Sequence, residues 1–287
     1  MTNIPLVLLF GMLFSIQVHL AKALQRQGIE IFEQIKKRQV VQGGLRKPVI
    51  YTVGVILNNT LFIWSTLAQP YGPPALFSSM FGVGLVFLMI YAAVVLKESI
   101  NRREVVGATA IILGTLAIGY ENVLRGEMLD RFTMNLRAFF LILGAWLTFS
   151  VLFIFSANRS GNLKIMALAY GLLAGSLGGL DPFLKGVGQN YGGASAVIPA
   201  TTLGNIIFVS SFVIGFLAFV ITQIGFARKV RASLLVPAYN AAFIGLPVFW
   251  QLFLLPDYSL TILTALGLTL IIGGVAAMQT VIQERGK

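Results

Sequence analysis

An all-α membrane protein crossing the bilayer about nine times is the fold this sequence predicts, and three observations predict it. Of its 287 residues 57% are hydrophobic and only 11% charged, with a mean hydropathy of +0.85, far from the balance of a water-soluble domain. Uncharged stretches recur at about the 20 residues that a helix needs to cross a hydrocarbon core roughly 30 Å thick. Lys and Arg crowd into alternate loops between those stretches, as membrane orientation demands.

The first span runs from Ile4 to Leu24. It lacks a basic leading region and an Ala-x-Ala site, so it is expected as a mature helix and not a signal peptide. A linker near 28–48 follows, in which Glu30-Ile-Phe-Glu-Gln-Ile-Lys-Lys-Arg38 spaces apolar and charged residues helically, as in a short amphipathic helix on the membrane surface. Span 2 is Val49 to Ala68, span 3 Pro74 to Leu96 and span 4 Val105 to Tyr120. Span 5 is Ala138 to Ala157, span 6 Ile165 to Val187 and span 7 Gly204 to Ala227. The uncharged tract from Gly186 to Ala227 exceeds one crossing, so its first part is expected in the interface or as a re-entrant piece. Span 8, Ala232 to Leu255, and span 9, Leu260 to Ile282, complete the set.

Charge sets the orientation. Loops after odd-numbered spans hold sixteen Lys and Arg, those after even-numbered spans hold only Arg125, Arg131 and Arg137, and Lys22 and Lys185 lie within spans. The N-terminus is expected outside and the C-terminus in the cytoplasm, in the cell membrane. The formal charge of +11 is thereby accounted for by topology. A nucleic-acid surface would need these residues clustered with aromatic platforms on one soluble face, and no such cluster exists. The absence of cysteine excludes disulfides, thiolate metal sites and Cys nucleophiles.

Two pieces of the chain resemble one another. Trp64 to Ser79 leads from span 2 into span 3, and Gln223 to Ala238 leads from span 7 into span 8. Each half then closes on a glycine-punctuated helix, Gly107 to Gly119 in the first and Gly267 to Ala277 in the second. Spans 1 to 4 thus correspond to spans 6 to 9, with residues 1–120 as one repeat, 121–163 as loop and connecting helix, and 164–287 as the other. An offset of five crossings inverts the second half. In inverted-repeat transporters the solute site lies near the midplane where the repeats meet.

The chain also resembles a known family, the NIPA-type magnesium transporters of the drug/metabolite transporter superfamily, whose repeats are of the EamA-like kind. The residues that carry the resemblance are Tyr71-Gly-Pro-Pro-Ala-Leu-Phe-Ser-Ser79, Leu96-Lys-Glu98-Ser-Ile-Asn101 and Gly107 to Gly114 in the first half. In the second half they are Lys185-Gly-Val-Gly188, Thr222-Gln-Ile-Gly-Phe-Ala227 and Leu235-Val-Pro237-Ala-Tyr239. The resemblance implies a nine-span, N-outside carrier of a divalent cation, magnesium. Where the family carries a Thr-Pro pair this chain has Ser78-Ser79, and an acidic position in span 2 corresponds to Asn58 or Asn59.

Polar residues inside spans nominate the site, because an ionisable group in hydrocarbon costs a few kcal/mol or more unless it faces a partner or cavity. Asp181, the only acid between Asp130 and Asp257, sits in such a segment. It could bind a cation or carry a proton, or form an i, i+4 ion pair with Lys185. Asn58 and Asn59 in span 2, and Tyr239 and Asn240 in span 8, either line the solute cavity or bond between helices. Pro182 and Pro237 are expected to break their helices and free carbonyls for a solute. His19 either couples transport to protons or donates to a neighbouring helix, and Lys22 is expected to snorkel to the cytoplasmic interface. Glu98 reads as a solvated carboxylate beside Arg102 and Arg103. Depth along the spans puts Asp181 roughly 7 Å toward the outer face as a gate, with His19 as its inner counterpart and the asparagines nearer the site.

These residues lead to a secondary transporter, of magnesium or of a small polar metabolite or amino acid whose carboxylate Lys185 or a half-helix N-terminus would hold. Protons are a candidate coupling ion, and no cofactor is expected. A membrane-embedded enzyme would need a nucleophile–base pair, a metal cluster or a phosphate loop that one histidine and one placed acid do not supply. The inverted repeat and the midplane amides argue against a non-transporting scaffold or receptor.

Overall fold

The computed structural model describes residues 3–28, 46–72, 74–95, 101–124, 135–191, 197–230, 232–254 and 259–280. The linker segment Glu30 to Arg38, Glu98 and Asp257 lie outside them.

Among the described residues all regular structure is helical: α1 (Ile4–Gly28), α2 (Arg46–Asn59), α3 (Phe62–Ala68), a 3-10 turn (Gln69–Tyr71), α4 (Pro74–Ser79) and α5 (Phe81–Val94), then α6 (Arg102–Leu124), α7 (Leu136–Ser160), α8 (Leu163–Asn190), α9 (Thr202–Ala227), α10 (Ala232–Leu254) and α11 (Ile262–Thr280). Seven of the helical stretches are long and apolar enough to cross a membrane, and Leu76–Tyr91 and Ile262–Ala277 form shorter apolar ones. The chain is therefore an all-α polytopic membrane protein. The long uncharged tract resolves into the end of α8, which reaches Asn190, and the start of α9 at Thr202.

Local chemistry sets the helix ends. The Asn135 side chain accepts from the Ala138 amide and starts α7, and Gly161 ends it in the left-handed region at φ 63°. Asn162 then caps α8 through the Lys164 amide at 2.9 Å, so two long helices join across a two-residue turn. Thr201 caps α9 through the Gly204 amide at 3.1 Å. At the far end of α9, Val230 N–H bonds to the Gly225 carbonyl and Lys229 N–H to that of Phe226, closing a Schellman motif around Lys229 at φ 66°.

Two helices form the centre. The apolar windows of α8 and α10 are 72% and 78% buried, against 11% for α7 and 22% for α9, whose outer faces carry Phe140, Leu141, Phe155 and Ile206 as lipid would require. Close approach makes this possible. Gly171, Gly175 and Gly179 form a stripe along α8 against the backbone of Leu235, Tyr239 and Phe243 on α10. A Cβ at Gly179 would lie 2.6 Å from the Phe243 carbonyl, so only hydrogen fits. A second close crossing joins the halves, where Gly114 and Gly267 face each other between α6 and α11 and a Cβ on Gly267 would meet the Gly114 carbonyl at 2.8 Å. The connecting helix α7 packs mainly on α8.

The breaks in the helices differ from those expected. Both Pro182 and Pro237 lie inside unbroken helices, because packing between α8 and α10 holds the turns that each missing N–H weakens. Span 2 breaks instead at Thr60–Leu61, between α2 and α3. There Asn59 donates to the Val55 carbonyl at 2.8 Å and Thr60 to those of Ile56 and Leu57 at 3.1 Å, competing with the helix ladder. Gln17 of α1 donates to the Leu57 carbonyl at 2.7 Å and to Thr60 Oγ1 at 2.8 Å, and its own carbonyl accepts from Trp64 Nε1 at 2.8 Å. Span 3 breaks at Met80, where Ser15 of α1 donates to the Phe81 carbonyl at 2.7 Å and accepts from the Gly84 amide at 2.8 Å.

Candidate functional site

Both halves of the sequence contribute to one cavity of about 260 Å³. From α1 come Phe14 and Lys22, and from α2 come Asn58 and Asn59. Gly178, Asp181 and Lys185 come from α8, Thr222 and a phenylalanine face from α9, and Tyr239 from α10. Of the lining residues Asn59, Phe62 and Phe216 are exposed, which places the mouth between α2–α3 and α9. The volume falls just below the roughly 300–1,000 Å³ of drug-sized sites, so the occupant is small.

Six residues that the sequence nominates, Asn58, Asn59, Tyr239, Asp181, Lys185 and Lys22, thus share one cavity. Asp181, expected as an outer gate, lines the same cavity as Asn58 and Asn59. Asn240 and His19 stand behind the cavity wall, both fully buried. Asn240 is bonded to His19 Nε2 at 2.9 Å, and His19 Nδ1 lies 2.7 Å from the Ser15 carbonyl. A carbonyl only accepts, so Nδ1 carries a proton, and Nε2 accepts from the Asn240 amide. The Asn240 carbonyl oxygen is buried with no hydrogen-bond partner.

The charged groups are arranged unequally. Lys185, its side chain 1% exposed, is ion-paired with Asp181 one turn earlier and lies 4.4 Å from the Phe212 ring centroid. Pro182, next to that acid, has no N–H to offer the Gly178 carbonyl one turn back, and Gly178 lines the cavity. Lys22 does not snorkel. It is 2% exposed, with Nζ 2.9 Å from the Tyr239 ring centroid and without any hydrogen-bond partner. Snorkelling fails because α1 points this side chain inward, against the aromatic layer of Phe14, Phe81, Tyr239 and Phe243, in which Phe81 and Phe243 stack at 3.9 Å.

A hydrogen-bond network outside the residues nominated from sequence lies next along the chain to the cavity-lining Lys22 and Thr222. Tyr51 donates to Gln223 Oε1 at 3.1 Å, Gln223 to Gln25 Oε1 at 2.6 Å, and Gln25 to the Gly54 carbonyl at 2.9 Å. These residues tie α1, α2 and α9 together one residue past Thr222 and one turn past Lys22. Gln25 lies one residue past the end of span 1 and Gln223 within about a turn of the end of span 7, so neither carries the signal that marks Asn58, an amide at the centre of an apolar span.

Comparison with known proteins finds no matching protein family, no matching curated protein and no matching solved structure.

Proposed function

We propose that the chain is a secondary transporter that moves a small polar organic solute by alternating access. The observation that carries the reading is the cavity itself, where Lys22 and Asn58 from one half of the sequence meet Asp181, Lys185, Thr222 and Tyr239 from the other inside an apolar bundle. Residues as costly as these in a membrane are kept where a solute passes. The helix pairing supports a nine-span 4+1+4 inverted repeat. In it, α1 packs on α2–α3 and on α5 as α8 packs on α9 and on α10, and α6 meets its counterpart α11. The N-outside orientation follows from the loop charges, and the network of Gln25 and Gln223 is the closed cytoplasmic gate. The resemblance to the drug/metabolite transporter superfamily points the same way.

Charge separates the two solute classes. Magnesium binds through one or two carboxylates while keeping most of its water. Here the one carboxylate in the cavity is already paired, two lysines surround the space, and no group of three His, Asp or Glu gathers among the described residues. An organic solute fits that balance better than a divalent cation. The test is reconstitution of the purified chain into proteoliposomes, followed by uptake of labelled small metabolites and of Mg²⁺ under an imposed pH gradient. Saturable uptake of an organic solute is expected. Saturable Mg²⁺ uptake alone would return the assignment to magnesium, and no saturable flux of any solute would end the transporter reading.

A further inference from the structure

The unpartnered ammonium of Lys22 defines a subsite, and we propose that it receives the carboxylate of a small organic monoanion. The inference rests on the transporter reading for its biological meaning, but the site stands on its own geometry. Three facts carry it.

Lys22 lines the cavity, is 2% exposed, and has no hydrogen-bond partner for Nζ. Contact with the Tyr239 ring supplies about 0.5–2 kcal/mol, well short of the several kcal/mol that burying an ammonium costs. An anion brought by a ligand supplies the difference.

Charge fixes the valence. The cavity holds Lys22, Lys185 and Asp181, and Asp181 already neutralises Lys185, so a protonated Lys22 leaves one positive charge for a ligand to meet. A single carboxylate restores neutrality. A phosphate monoester, at about −1.5 to −2, overshoots. A zwitterion leaves the charge unbalanced, and a divalent cation adds to it.

Shape fixes the rest of the molecule. About 260 Å³ admits only a small solute, and Phe14, Phe212, Phe216 and Phe219 offer it an apolar wall. Asn58 and Thr222 offer polar contacts around the same space. The fitting ligand has one carboxylate at Lys22 and a short apolar body along the phenylalanines.

The experiment measures binding to the full-length protein in detergent by calorimetry, with butyrate, benzoate and their uncharged amides, then succinate, inorganic phosphate, leucine and MgCl₂. Butyrate or benzoate should bind saturably, and the amides should bind on the order of 10- to 100-fold more weakly. Lys22→Met should remove the preference for acid over amide, and Lys22→Arg should retain it. Removing a buried charge without leaving a partner unpaired favours folding of Lys22→Met. If that variant fails to fold, Lys22→Gln makes the same comparison.

Equal acid and amide binding in the wild type, unchanged preference in Lys22→Met, or exclusive binding of succinate, phosphate, leucine or Mg²⁺ overturns the proposal. Proteoliposome uptake separates the two claims. Monocarboxylate binding without flux leaves the subsite and removes the transporter, whereas saturable flux of another solute that Lys22→Met leaves unchanged removes the subsite and keeps the transporter.

Discussion

Asp181→Asn is the perturbation with the clearest consequence. Read from sequence as a cation or proton site, Asp181 is expected to lose flux as Asn without unfolding the protein. The structure changes the expectation. Asp181 is the ion-pair partner of Lys185, whose side chain is 1% exposed, so the amide leaves a buried ammonium without a counter-charge. Removing one partner of a buried pair costs about 3–5 kcal/mol, while replacing both is close to neutral. At about 2 °C per kcal/mol for a chain of this size, Asp181→Asn should lower Tm by about 6–10 °C. The double variant Asp181→Asn with Lys185→Met should recover most of that loss. The assay is thermal unfolding of the purified protein in detergent, followed by tryptophan fluorescence. A single variant as stable as the wild type, or a double variant no better than the single, would refute the argument that the pair is an interior, mutually dependent unit.

Three further expectations follow from packing, backbone and gate. Gly175→Ala places a Cβ 2.8 Å from the Tyr239 Cα and should destabilise by about 1–3 kcal/mol. The control Gly144→Ala, where nothing lies within 4 Å, should stabilise by roughly 0.5–1 kcal/mol, and equal shifts in the two would argue against the α8–α10 contact. Lys229→Gly relieves a left-handed residue and should be more stable by about 0.5–1 kcal/mol than Lys229→Ala, which removes the same side chain but keeps the strain, and equal Tm values for the two would refute the strain. Because the chain has no cysteine, Thr222→Cys can report on the proposed gate. Adding Gln223→Ala should speed its reaction with a membrane-impermeant maleimide several-fold while changing stability by only about 1 kcal/mol, and an unchanged rate would show that the amides do not close that end.

Much of the site was legible because the membrane makes polarity conspicuous. Asn58, Asn59, Asp181, Lys185 and Tyr239 stand out in spans for the same reason that they line the cavity. The errors have physical causes too. Lys22 sits close enough to a helix end to snorkel, and only the rotation of α1 about its axis decides that it turns inward to Tyr239. Pro182 and Pro237 are the strongest breakers in the chain, yet the helices bend at Thr60 and Met80, where side chains from α1 capture the freed backbone. Local propensity lost to tertiary hydrogen bonds.

Composition and loop charge by themselves determined that the chain is helical, membrane-spanning and built around a few intraspan polar groups, because the bilayer penalises every other arrangement of such a sequence. Which of those groups meet was decided only by tertiary structure. Helix rotation and the glycine contacts between α8 and α10 set whether a lysine finds a carboxylate, as Lys185 does, or faces an open cavity without one, as Lys22 does. Periodicity along a single helix carries no information about the partner across the gap.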